Sequence, residues 1–119
     1  MRRIIVAGSR NFCDYERLRC TLDRLEITPS DEIISGHARG ADTLGELYSK
    51  EHRIPLKVFQ AEWDKYGKKA GYLRNNAMAE YASNKDGVLV AFPIGQSRGT
   101  RMMIQLAKRH HLKVIVEES

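Results

Sequence analysis

The stretch Arg2-Arg3-Ile4-Ile5-Val6-Ala7-Gly8-Ser9-Arg10 decides the fold of this chain. Its apolar part is short, unbroken and β-branched rather than alternating, which is the pattern of a strand buried on both faces. Glycine ends the run, and a serine and an arginine follow at once. The same order of apolar run, polar turn and helical pattern returns along the chain. Asp14 caps a helix with Tyr15, Leu18, Leu22 and Leu25 at helical spacing, which Thr28-Pro29-Ser30 ends. Asp31 to Ser35 reads as a second strand, Ala41, Leu44, Leu47 and Tyr48 mark a helix that stops before Pro55, and Leu56 to Phe59 is a third strand. A polar, aromatic and basic stretch, Gln60 to Lys69, precedes a third helix with Ala70, Leu73, Ala77 and Tyr81 on one face, broken at Asn84-Lys85-Asp86-Gly87. Val88 to Phe92 is a fourth strand, Thr100 caps a fourth helix running to His110, and Leu112 to Val116 is a fifth strand.

Strict strand-helix alternation with short loops predicts an α/β fold, a Rossmann-like three-layer sandwich around a five-stranded parallel sheet. Right-handed crossovers place every strand-to-helix turn on the carboxyl edge of such a sheet, and ligands sit where the strand order reverses. With the first strand central, the order is 3-2-1-4-5 and the reversal lies between the first and fourth strands. The 119 residues read as one domain, 1–119, without linker, repeat or low-complexity segment.

Twenty Lys and Arg against fifteen Asp and Glu give a net charge of +5, which favours acidic ligands without choosing between a small nucleotide and nucleic acid. The apolar run Ile4 to Ala7 is too short for a signal peptide or a membrane span, so a cytoplasmic protein with no membrane partner is expected. Cys13 and Cys20 stand roughly 10 Å apart across a helix start, beyond disulfide reach, and read as free thiols. The four histidines, His37, His52, His110 and His111, lack ligand spacing, and neither a metal nor a cofactor is expected.

Three glycine-containing turns carry the chemistry: Gly8-Ser9-Arg10, Gly36-His37-Ala38-Arg39-Gly40-Ala41-Asp42 and Gly95-Gln96-Ser97-Arg98-Gly99-Thr100. Glycine admits a ligand close to backbone N–H groups, the following helix presents its positive dipole end, and arginine adds a planar donor fork for phosphate. No turn has the GxGxxG spacing of dinucleotide-binding oxidoreductases or the Gly-Lys-Ser/Thr ending of a Walker loop, which argues against standard hydride transfer and ATP hydrolysis. Each turn also has a structural reading: Gly8 lets strand become loop, Gly36 and Gly40 relieve helix-sheet crowding, and Thr100 is a good cap in any protein. Asp42 is either a partner of the helix dipole or an acceptor for ribose hydroxyls. Trp63, Tyr66 and Tyr72, interleaved with Lys65, Lys68, Lys69 and Arg74, form either a stacking surface or a wet face with Trp63 in the core. Met78, Met102 and Met103 read as core.

Taken together, Val6-Ala7-Gly8-Ser9-Arg10, Ser35-Gly36 through Asp42, Ala61-Glu62-Trp63 with Gly71-Tyr72-Leu73-Arg74-Asn75, and Ser97-Arg98-Gly99-Thr100 resemble the YspA-like (YAcAr) branch of the SLOG superfamily. The match runs in order over nearly the whole chain. The superfamily has a Rossmann-like fold and includes nucleotide sensors, the Lonely Guy phosphoribohydrolases, molybdenum-cofactor carriers and the DNA-processing protein DprA; the branch occurs in bacteria and their phages. In the hydrolases a Gly-Gly-x-Gly-Thr-x-x-Glu motif supplies a catalytic glutamate, and Met103 stands at that position here. Methionine can neither stabilise nor deprotonate at an N-glycosidic centre.

The resemblance implies binding of a nucleotide or nucleotide-derived ligand, ADP-ribose-like or NAD-related, for sensing or sequestration. The expected ligand residues are Gly8, Ser9, Arg10, Gly36, His37, Arg39, Gly40, Asp42, Lys69, Gly71, Arg74, Asn75, Ser97, Arg98, Gly99 and Thr100. Two rivals stand beside it: a nucleotide N-glycosidase using Asp42 or Glu80, and a single-stranded nucleic-acid binder using Trp63 to Arg74. A homo-oligomer, most simply a dimer, is expected, because two helices per face at most should leave apolar surface at Met78, Tyr81, Met102 and Ile104 partly uncovered.

Overall fold

A computed structural model of the chain describes residues 1–118. Five strands form one parallel sheet: β1 (Arg3–Gly8), β2 (Glu32–Ser35), β3 (Leu56–Val58), β4 (Val88–Phe92) and β5 (Lys113–Val116). Their order is β3-β2-β1-β4-β5, as the alternation and handedness predict. β1 pairs with β4 from Ile4↔Val88 to Gly8↔Phe92, and every residue of β4 is buried. The edge strands β3 and β5 carry more exposed patterns, consistent with their single neighbours.

Because side chains alternate along a strand, β1 and β4 feed two separate cores. Ile4, Val6, Val88, Val90 and Phe92 face α1 (Tyr15–Asp23) and α2 (Ala41–His52), meeting Leu18, Leu22, Ala41 and Tyr48. Ile5, Ala7, Leu89 and Ala91 face the other way, onto α4 (Ala70–Ser83) and α5 (Arg98–Arg109), meeting Met78, Ala82, Met103 and Ala107. Two helices on each face complete the three-layer sandwich. Asp14 caps α1 by accepting from the Arg17 N–H, as its position suggests. Among the described residues no helix is long and apolar enough to cross a membrane, and Cys13 and Cys20 are exposed, unbonded thiols.

The polar, aromatic and basic stretch 60–69 holds a one-turn helix, α3 (Trp63–Tyr66), and a 3-10 turn, Gly67–Lys69, that runs into α4. It has no buried residue, so no apolar periodicity marks it. Trp63 is therefore not core but 52% exposed. Finally, the surface expected to drive self-association is largely covered: Met78 and Ile104 are buried, and Tyr81 and Met102 pack against the same core. Tyr81 is further tied by its hydroxyl, which donates to Glu32 at 2.6 Å, and by the Arg3 guanidinium over its ring.

Candidate functional site

The chain leaves β1 and β4 in opposite directions, and the divergence opens a cleft of about 380 Å³ at their carboxyl ends. One lip is Gly8 to Asn11, which follows β1; the other is Ser97 to Thr100, which opens α5. Arg74 and Asn75 of α4, with Ala38 and Asp42 from the turn into α2, close the side, and Met78 and Met103 lie beneath.

A chain of hydroxyls joins the two lips. The Ile94 N–H donates to Ser9 Oγ at 2.7 Å, Ser9 Oγ donates to Ser97 Oγ at 2.8 Å, and Ser97 Oγ donates to Thr100 Oγ1 at 2.7 Å. Thr100 is thus the third residue of α5 rather than its cap. The cap position belongs to Ser97, held left-handed at φ 38°, and no side chain hydrogen-bonds to the first-turn N–H groups. Left-handed backbone is unfavourable for serine, so this turn is strained and its donors are left open. Among the described residues, no protein acceptor takes a hydrogen bond from the guanidinium of Arg98 or Arg10. Arg101 differs: it is paired with Glu118 at 3.0 Å and also donates to the carbonyls of Gly95 and Gln96, which fastens the loop before the helix.

The α2 lip is built in the opposite way. Gly40 has φ 80°, and a Cβ there would stand 2.1 Å from the Ser9 carbonyl oxygen, so the turn fits against β1 only with glycine. Asp42 is buried and accepts from the Ala38 N–H at 3.1 Å. Burial raises its carboxyl from 3.8 to about 6, against the opposing pull of that N–H and of Arg74. Arg74 Nη1 donates to the Gly36 carbonyl at 2.9 Å and its Nε donates to Asn75 Oδ1 at 3.1 Å. Desolvation lowers the Arg74 pKa, and Asp42 holds it up. Gly36 makes this possible, because a Cβ there would lie 3.0 Å from Asp42 Oδ2 and 3.1 Å from Arg74 Nε. His37 is tied back: its Nδ1 lies 2.9 Å from Glu46 Oε2, which also accepts from Ser35.

The expected site residues divide accordingly. Gly8, Ser9, Arg10, Asp42, Arg74, Asn75, Ser97, Arg98, Gly99 and Thr100 line this cleft. Gly36, His37 and Arg39 line a second one, with Arg10 and Arg74 shared between the two. Gly40, Lys69 and Gly71 line neither: Gly40 packs on Ser9, Gly71 lies under Trp63, and Lys69 is exposed in the 3-10 turn. Glu80 is exposed on α4 outside the lining, which leaves Asp42 as the single carboxylate in the first cleft. Asn11, Ala38, Ile94, Gln60, Ala61 and Trp63 also line the clefts and lie outside the expected ligand residues; none of them carries a charge.

Residues 2–66, more than half of the chain, match the YspA, cpYpsA-related SLOG family. The chain belongs to this family. It is also 34% identical over 122 residues to the Gene 61 protein of Mycobacterium phage D29, covering 97% of this chain and 95% of the phage protein. The X-ray structure of DNA processing protein A (DprA) from Streptococcus pneumoniae superposes with a TM-score of 0.75 at 16% identity, over 97% of this chain. This chain spans 49% of the DprA chain, and at that identity the likeness establishes the shared SLOG-type Rossmann-like fold.

Proposed function

We propose that this SLOG-family chain binds a nucleotide or nucleotide-derived ligand of the ADP-ribose or NAD type in the first cleft, as a sensor or sequestering protein. The observation that carries the reading is the open start of α5: first-turn N–H groups without a side-chain cap, the Ser97 and Thr100 hydroxyls beside them, and an Arg98 guanidinium with no acceptor among the described residues. A helix start of this kind suits phosphate, and Arg10 and Arg74 add charge across the cleft. Asp42 is the single acid in reach of a ribose.

A thermal-shift panel of AMP, ADP-ribose, cyclic ADP-ribose, NAD and adenosine tests the reading, because a ligand of the folded state raises apparent stability. Phosphate-bearing compounds should shift the melt and adenosine should not. No response to any phosphate-bearing compound refutes it. Adenine should not accumulate from AMP in a long incubation followed by chromatography, because Met103 is buried at the position of the hydrolases' glutamate.

A further inference from the structure

The second cleft, about 360 Å³, lies beyond the carboxyl ends of β2 and β3 and shares Arg10, Ala38 and Arg74 with the first. The two hollows therefore meet along a common rim bearing two guanidinium groups. No carboxylate lines the second hollow, and Arg39 adds a third positive charge. Trp63 is the one Phe, Tyr or Trp side chain in either lining.

Trp63 is half-exposed yet seated. A Cβ on Gly71 would come within 3.3 Å of the indole Cη2, so the ring lies close against the first turn of α4 where any larger residue would crowd it. A large apolar ring held in place at the edge of a cationic hollow is the arrangement on which a nucleobase stacks. Tyr66 and Tyr72 are 42% and 43% exposed but line neither cleft; Tyr66 lines, with Phe59 and the carboxylate-bearing Glu62, a third and smaller hollow that meets the second at Gln60 and Arg74, so the two hollows free of that acid offer one ring platform rather than a track of them. That favours a small ligand over a nucleic-acid strand.

Resting on the nucleotide reading of the first cleft, we propose that the two hollows form one bipartite site for a dinucleotide, that is, two nucleoside units joined through phosphate. The bridging phosphates lie over Arg10 and Arg74 at the shared rim, and one base stacks on Trp63.

Trp63 is the chain's single tryptophan, so its fluorescence reports this contact in the unaltered protein. The full chain is titrated with AMP, NAD, diadenosine diphosphate and oligothymidylates of increasing length, with calorimetry in parallel. At least one of the two dinucleotides should quench the emission and bind more tightly than AMP by about tenfold, the scale of one base stack on an aromatic ring. Trp63→Ala should bring the dinucleotide down to the affinity of AMP for the same variant, while Trp63→Phe should keep most of the advantage. The proposal is overturned if neither dinucleotide outbinds AMP, or if the advantage survives Trp63→Ala. It is likewise overturned, in favour of a strand, if oligothymidylate binds more tightly than the dinucleotides with affinity growing with length. AMP binding without any dinucleotide advantage leaves the nucleotide reading standing, whereas calorimetric silence with every phosphate compound removes both.

Discussion

Two helices start at the carboxyl edge of the sheet within reach of one cleft, and they are finished differently. The α2 start is packed against the rest of the chain. Gly40 presses on the Ser9 carbonyl, Asp42 accepts the Ala38 N–H, and Glu46 gathers Ser35 and His37. The α5 start is more open: neither helix has a side-chain cap, but the first N–H of α2, that of Ala41, donates to the Ser9 carbonyl at 3.4 Å, whereas the cap residue of α5 is strained and a Cβ at Gly99 would meet nothing within 4 Å. Glycine, arginine and a hydroxyl or carboxylate occur in both turns, so composition alone does not separate a turn that closes the fold from one left open for an anion. Where each donor goes does separate them.

The sharpest way to break this contrast is to put the same methyl group on both turns. Gly40→Ala forces alanine into a left-handed φ and drives its Cβ into backbone, which should cost at least about 3 kcal/mol. Gly99→Ala adds its methyl to open space in a helix and should stabilise the free protein by about 0.5–1 kcal/mol while weakening nucleotide binding. Urea unfolding of the two variants measures both changes. Equal effects would mean that the two turns are not differently built.

The buried carboxylate of the closed turn comes next. Its folded pKa of about 6 lies above its ordinary 3.8, so the folded state binds this proton more tightly than the unfolded chain does. The contribution of Asp42 to stability is therefore most favourable below about pH 4, declines as pH rises toward 6, and above that the full cost of the buried charge remains. Asp42→Asn removes the titration and keeps an oxygen for the Ala38 N–H. It should be more stable than wild type by about 2–3 kcal/mol at pH 7.5, the gain vanishing near pH 4. Unfolding curves across pH check it, and a pH-independent difference would show that burial is not what sets this carboxyl.

What the sequence reveals, and what it hides, follows the same division. β1 and β4 are legible because an unbroken β-branched run has few other uses, and with the alternation they fix the sheet order and the position of the cleft. Ser9, Arg74 and Thr100 are readable as cleft residues once that edge is placed. Gly40 and Gly71 line neither cleft, because a glycine admits either a ligand or another part of the chain, and only the tertiary structure supplies the Ser9 carbonyl or the Trp63 indole. The exposure of Trp63 is hidden for a related reason. A lone tryptophan in a four-residue helix has no periodicity to say which way it faces. The left-handed turn at Ser97 has no local signature either, since its support comes from Ser9, eighty-eight residues away.

The arginines of the open turn give a smaller but selective effect. Among the described residues Arg98 has no partner, and Arg101, three positions on, is engaged by Glu118 and two carbonyls. Arg98→Ala should weaken binding of the best nucleotide by about 1.5–3 kcal/mol, the range of a charge-assisted hydrogen bond, and leave folding unchanged. Arg101→Ala should leave binding nearly intact. Calorimetry of the two variants against one ligand decides, and equal losses would mean that the cleft's general positive charge, rather than the placement of Arg98, attracts the ligand.

The smallest effect isolates the strain at the cap of α5. Ser97 has φ 38° and ψ 66°, a conformation that glycine adopts freely and that costs an ordinary residue about 1 kcal/mol. Its hydroxyl bonds to both Ser9 and Thr100, so a single substitution mixes lost hydrogen bonds with changed strain. Comparing two variants that both lack the hydroxyl removes the ambiguity. Ser97→Ala keeps the Cβ and the strain, whereas Ser97→Gly relieves it, although glycine also frees the unfolded chain and gives back part of the gain. Ser97→Gly should therefore be the more stable of the two by up to about 1 kcal/mol. At Gly99, the second residue of the same helix, alanine should win instead. If alanine is also the better residue at 97, the chain reaches α5 without strain, and the open donors owe nothing to a left-handed approach.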